Sequence, residues 1–185
     1  TQSGGTTFSN TVNAATVTLT ATTGTITFTG ALTAGTLSTA NAGYNVAING
    51  GGTITNAATF SNTGTLTLAG TTAFTAGVTA TSPSSKTING TITAAGSGVI
   101  NLGTSAVTIS GDSTVGGTST GAITLGAATL ADNVTLTVGA GTVTPITLST
   151  VTGTAGGLSS NLTLFQEYVP EKLSLSKLLK LALLS

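Results

Sequence analysis

The chain of 185 residues contains no Cys, His, Met, Trp or Arg. Without His or Cys it has no imidazole or thiolate metal ligand, no triad base and no thiol nucleophile. Without Cys it has no disulfide framework and no thiol redox chemistry. Charge is nearly absent as well. Four Lys and four Asp or Glu make 4% of the chain and a net charge of zero, against roughly a quarter of residues in an ordinary soluble domain. No basic patch exists to supply the electrostatic footprint of nucleic-acid binding. No uncharged apolar run reaches the roughly 18 residues that a membrane-spanning helix needs. The sequence does not begin with Met, which is the expectation for a processed chain or a fragment that has shed its signal peptide.

What remains is Thr, Gly and aliphatic residues. Thr fills 45 positions and Gly 26, and 39% of the chain is hydrophobic. A disordered segment is typically poor in apolar residues and rich in charge. This chain has the opposite balance and is expected to fold. Its dominant period is two. Thr16-Val17-Thr18-Leu19-Thr20 and Thr25-Ile26-Thr27-Phe28-Thr29 alternate strictly. The pattern returns at Thr65–Leu68, Val107–Ser110, Ile123–Leu125, Val134–Val138, Ile146–Leu148 and Leu162–Leu164. Successive side chains of a strand point to opposite faces, so the aliphatics share one face and the threonines the other. The alternation predicts that Ile26, Phe28, Leu66, Leu68, Ile100, Leu102, Ile109, Leu125, Leu136 and Leu148 point inward. Gly24, Gly30, Gly50-Gly51-Gly52, Gly70, Gly90 and their like, with Asn10, Asn41, Asn62 and Asn133, supply corners between strands.

Self-similarity narrows the fold. Gly24-Thr25-Ile26-Thr27-Phe28 recurs as Gly64-Thr65-Leu66-Thr67-Leu68, and Ile100-Asn101-Leu102-Gly103 as Ile123-Thr124-Leu125-Gly126. Phe8-Ser9-Asn10-Thr11 also returns, as Phe60-Ser61-Asn62-Thr63. Offsets of about 20 residues, and about twice that, are those of a β-solenoid whose coils each carry two or three short strands. The expected fold is therefore an all-β, right-handed parallel β-helix over residues 1–165, with coils of about 20 residues. A β-sandwich is the alternative, because it too shows short alternating strands and Gly turns.

Coils such as Gly24–Gly35, Asn45–Asn62 and Gly121–Thr137 resemble the Thr/Gly/Asn-rich right-handed β-helices of bacterial surface proteins, namely autotransporter passengers and filamentous-haemagglutinin-like adhesins. The resemblance covers about residues 5–165. It carries neither a C-terminal membrane barrel nor a secretion-domain signature. It implies an extracellular or cell-surface protein, structural or adhesive, that meets a host surface or glycan. The repeats, the near-zero charge and the lack of a catalytic set lead to the expectation of a non-enzymatic segment or subunit of a fibre that associates with copies of itself, since low charge leaves little repulsion between rods.

Residues 166–185 form a second region. Glu167, Glu171, Lys172, Lys177 and Lys180 fall here, whereas the body carries only Lys86, Asp112 and Asp132. Pro170-Glu171 can open a helix. On it Leu175, Leu178, Leu179, Ala182 and Leu183 share one face, opposite Ser176, Lys177 and Lys180. Leu173-Ser174-Leu175-Ser176 reads alternatively as a last strand. The tail is expected to cap the open end of the core, to contact a neighbouring subunit through Leu175, Leu178, Leu179 and Leu183, or to lie on a membrane surface.

Few residues carry chemistry. Asp112 and Asp132 lie about one coil apart, so adjacent coils could bring them together as a carboxylate pair. Both also sit in turn-like contexts, Gly111-Asp112-Ser113 and Ala131-Asp132-Asn133. Gly50-Gly51-Gly52 lacks the Lys-Ser/Thr and the helix of a phosphate loop. The calcium-binding Gly/Asp nonapeptide is absent. No catalytic residue, metal or cofactor is expected. The stacked Thr ladders leave one binding reading, an ice- or glycan-binding module. Ice asks for a flat array of constant coil length, and the sequence offsets vary too much to promise one.

Overall fold

A computed structural model of the chain describes residues 4–139, 144–153 and 160–164. Among them are nineteen β-strands and no helix, β1 to β19 in chain order, all joined in one continuous sheet. Every strand pairing is parallel, and each joins a strand to one a whole coil away. A β-sandwich is built from antiparallel pairs, so this alternative is excluded. The chain is a right-handed parallel β-helix of about 7 turns.

Each turn visits three faces. The first face stacks β1 (Thr6–Phe8), β3 (Thr25–Phe28), β5 (Asn45–Ile48), the first halves of β8 (Thr65–Phe74) and β10 (Ser85–Ala94), β12 (Val107–Ile109), β15 (Ala128–Leu130) and β18 (Val151–Gly153). The second stacks the first halves of β2 (Val12–Leu19) and β4 (Leu32–Thr39), β6 (Gly52–Ile54), the second halves of β8 and β10, β13 (Ser113–Gly117), β16 (Thr135–Val138) and β19 (Asn161–Leu164). The third stacks the ends of β2 and β4, β7 (Ala58–Thr59), β9 (Gly77–Thr79), β11 (Val99–Asn101), β14 (Ile123–Leu125) and β17 (Ile146–Leu148).

The repeat length is set at the corners. On the first face Thr6 lies opposite Ile26, Thr25 opposite Asn45, Val46 opposite Leu66, and Thr65 opposite Ser85. The spacing is the same in all four, and side-chain bonds such as Asn45 to Thr25 and Thr65 to Asn45 cross it with a separation of 20. It lengthens by one residue at Lys86–Val107 and Val107–Ala128, and by more at Ala128–Val151. The second face grows furthest at Thr135–Asn161. Residues are therefore added between strands, and the ladders stay in register.

The corner between the first and second faces shows why Gly recurs there. Gly90 lies opposite Gly70 and takes φ of 144°, a backbone that L side chains rarely adopt. A Cβ on it would stand 2.1 Å from the Gly70 carbonyl oxygen. One on Gly50 would stand 2.5 Å from the backbone of Gly30, and one on Gly30 2.3 Å from that of Asn10. Successive coils approach too closely at this corner for a side chain to lie between them.

The aliphatic faces fill the interior as one cluster running from Leu19 to Val138. Nine of the ten side chains expected to point inward are buried, from Ile26 to Leu136. Leu148, the tenth, points to the core but stays half-buried, because it belongs to one of the last coils described. Each such aliphatic contributes about 1.5–3 kcal/mol by leaving water. The Phe8 and Phe60 tetrapeptides, alike in sequence, are not equivalent in space. Phe8 ends β1 on the first face and stacks on Phe28 at 4.8 Å. Phe60 follows β7 on the third face and meets Phe74 edge-on at 6.1 Å.

Candidate functional site

Among the described residues, two features stand out for their polar chemistry: the outward Thr ladders and a column of buried polar side chains. The longest ladder lies on the first face. Thr7, Thr27, Ala47, Thr67, Thr87, Thr108, Thr129 and Thr152 follow one another in register, one per coil. Parallel strands lie about 4.8 Å apart, and alternate residues of a strand about 6.6 Å apart. To either side of this ladder the outward positions hold Thr25, Asn45, Thr65 and Ser85, and Thr29, Asn49, Ala69 and Asn89. Nothing on this face from Thr25 to Ala131 is charged, aromatic or longer than Asn. Among the described residues, no hydrogen-bond partner stands against the hydroxyls of Thr27, Thr67, Thr87, Thr108 and Thr129.

The other faces are less regular. On the second, the ladder Thr71, Thr91, Thr114, Thr137 and Thr163 begins only after Gly51. Its neighbour, Asn13, Thr33, Thr53, Ala73 and Thr93, ends at Gly116. On the third, Ser38, Thr59, Thr79, Asn101 and Thr124 align, but Val99 projects outward beside them with 43% of its surface exposed.

The buried column runs along the corner between the third and first faces. The Tyr44 hydroxyl donates to the Leu19 carbonyl at 3.1 Å, and burial pushes its pKa up. The Asn62 amide donates to the carbonyls of Tyr44 at 3.1 Å and Thr65 at 3.2 Å, which leaves its own buried oxygen without a partner. Next comes Lys86, only 2% exposed, between Leu66 and Val107 in an inward-facing column. Its ammonium donates to the Pro83 carbonyl at 3.3 Å and to the Ser105 hydroxyl, which itself donates to Pro83 at 2.9 Å. No carboxylate is among these partners, and burial lowers the Lys86 pKa. Lys86 is the feature that reading for charge overlooks. Its signal is its place two residues before the buried Ile88 in an alternating strand.

Asp112 and Asp132 do not form a ladder pair. Ile109 aligns with Leu130, but Ser113 aligns with Leu136, so the later coil is two residues longer at this corner. An Asp112 carboxylate oxygen accepts the Thr135 backbone N–H at 2.8 Å, satisfying a donor of the next coil. Asp132 precedes Asn133, which takes φ of 59°, a left-handed turn that Asn tolerates. Both carboxylates thus belong to corners. Among the described residues no three of His, Cys, Asp and Glu gather into a metal-binding group, and no helix is long and apolar enough to cross a membrane. Leu175, Leu178, Leu179 and Leu183, the expected subunit contact, lie outside the described residues.

Comparison with protein-family models, with curated proteins and with solved structures finds no match to this chain.

Proposed function

We propose that the chain is a non-enzymatic structural and adhesive protein of the cell exterior, a segment or subunit of a surface fibre that associates with copies of itself. The observation that carries this reading is a rod of stacked coils whose exterior, over the described residues, bears hydroxyls and almost no charge, with Asp112 bonded across a corner and Asp132 placed in a turn. Low charge leaves little repulsion between rods, and the terminal coils of a solenoid offer unpaired strand edges. The resemblance to autotransporter passengers and filamentous-haemagglutinin-like adhesins supports the same reading and its extracellular location after loss of a signal peptide. The tail at 166–185, through Leu175, Leu178, Leu179 and Leu183, is proposed as the contact between copies. Electron microscopy of the purified chain tests this. Fibres of uniform width are expected, and dispersed material at all concentrations would overturn the self-association.

A further inference from the structure

We infer that the outward side of the first face binds ice. The inference concerns one face of a single rod and holds whether or not rods join into fibres. It begins from what that face cannot hold. With no charge it has nothing to offer phosphate, a carboxylate or a cation. With no aromatic ring it has no platform on which a sugar could stack. It does have a lattice of small neutral side chains spaced about 4.8 Å along the rod and about 6.6 Å across it, with hydroxyls and amides at most positions and Ala at others, among them Ala47, Ala69, Ala127 and Ala131. Such a surface fits a partner that is itself a neutral repeating lattice of donors and acceptors.

Three features prepare the face for ice. The hydroxyls of Thr27, Thr67, Thr87, Thr108 and Thr129 have no partner among the described residues, so they can enter a water lattice. Thr is β-branched and stiff at χ1, and each is flanked in register by its counterpart one coil away, so little side-chain entropy is left to lose on binding. The Thr methyl groups beside the hydroxyls disfavour disordered water at the same surface. Each hydrogen bond to ice replaces one to liquid water and is weak alone. A rigid array makes many at once, which converts weak contacts into strong retention.

The first face suits this better than the others. Its register runs unbroken through seven pairings, the first four of them at one constant spacing, and its central column lacks a hydroxyl at one coil, Ala47. The second is interrupted by Gly51 and Gly116, and the third by the projecting Val99.

The test is thermal hysteresis and inhibition of ice recrystallisation by the purified chain. Three proteins are compared: wild type, the first-face variant Thr87→Lys/Thr108→Lys, and the second-face variant Thr53→Lys, with circular dichroism to confirm fold. Wild type and Thr53→Lys are expected to shape ice and to inhibit recrystallisation, and the first-face variant to fall to the level of buffer. Absence of both activities in wild type, or their retention by the first-face variant, overturns the inference. So does retention of wild type on crystalline cellulose or chitin without any effect on ice, which would make the partner a polysaccharide. If the Lys variants lose their fold, fluorescently labelled wild type in a slowly grown ice crystal decides. Label incorporated into the ice supports the inference, and label swept into the residual liquid overturns it.

Discussion

Replacing Lys86 by Met is expected to stabilise the protein. Lys86 is 2% exposed and lies between Leu66 and Val107, in an inward column whose other members from Ile26 to Val151 are apolar. Its ammonium is held by a carbonyl and a hydroxyl and by no carboxylate. A buried charge so placed carries a desolvation cost that neutral partners offset only in part. Met keeps the unbranched stem and the volume while removing the charge. The change strands no acceptor, because the Ser105 hydroxyl still donates to the Pro83 carbonyl at 2.9 Å. Replacing buried ionic groups by apolar ones of similar size is neutral to stabilising by about 1–4 kcal/mol. A gain of about 1–3 kcal/mol near neutral pH is expected here, and each kcal/mol raises Tm by about 2–4 °C in a chain of this size. Burial lowers the Lys86 pKa from its ordinary value of 10.5. Below 10.5 and down to the lowered folded value, the unfolded chain therefore binds more protons than the folded one. Wild-type stability rises with pH through that window, and the penalty stands in full below it. The Met variant lacks that rise, so its advantage shrinks as pH approaches 10.5. Urea melts of both proteins at several pH values between neutral and about 10 measure this directly. A Lys86→Met protein less stable than wild type by more than about 1 kcal/mol, or with the same pH dependence, would refute the reasoning. Lys86→Ala serves as the control. It also removes the stem and leaves a cavity, so it should fall below Lys86→Met by about 2–5 kcal/mol.

Thr72, buried with its hydroxyl unpartnered, is expected to gain about 1 kcal/mol as Val, read from denaturant melts. Gly90→Ala meets the Gly70 carbonyl oxygen and should cost at least about 2 kcal/mol in the same assay. Phe28, fully buried and stacked beneath Phe8, should cost about 3–5 kcal/mol as Ala. Deleting residues 167–185 should leave folded monomers by circular dichroism and sedimentation. Fibres unchanged by the deletion would show that the tail is not the connector.

Much of this architecture was legible along the chain because its causes are local. Alternation in Thr25–Thr29 or Val134–Val138 assigns each side chain to a face without reference to any other coil, since the strand pleat does so by itself. The Gly24/Gly64 offset spans two successive ladder steps, from Ile26 to Val46 and from Val46 to Leu66, and the Ile100/Ile123 offset is itself one ladder step. The Phe8/Phe60 likeness misled, because a shared tetrapeptide says nothing about which face its coil has reached. Counting residues from Asp112 to Asp132 does not give their register for a related reason. Asp112 and Asp132 are about one coil apart in count, but the corner that holds Asp132, between Leu130 and Leu136, has two residues more than the one that holds Asp112, between Ile109 and Ser113.

The sequence by itself determined that this protein is a stack of parallel β coils with aliphatics inside and threonines outside, because the two-residue alternation and the coil-length repeat are properties of the chain alone. Only the tertiary structure decided which threonines share a column, since alignment between coils depends on how each corner absorbs its extra residues. It also decided that Lys86 lies in the core, 2% exposed, with Leu66 and Val107 on either side of it in the inward column. It decided as well that the corner at Gly30, Gly50 and Gly90 admits no side chain, because the backbone of the preceding coil occupies that space.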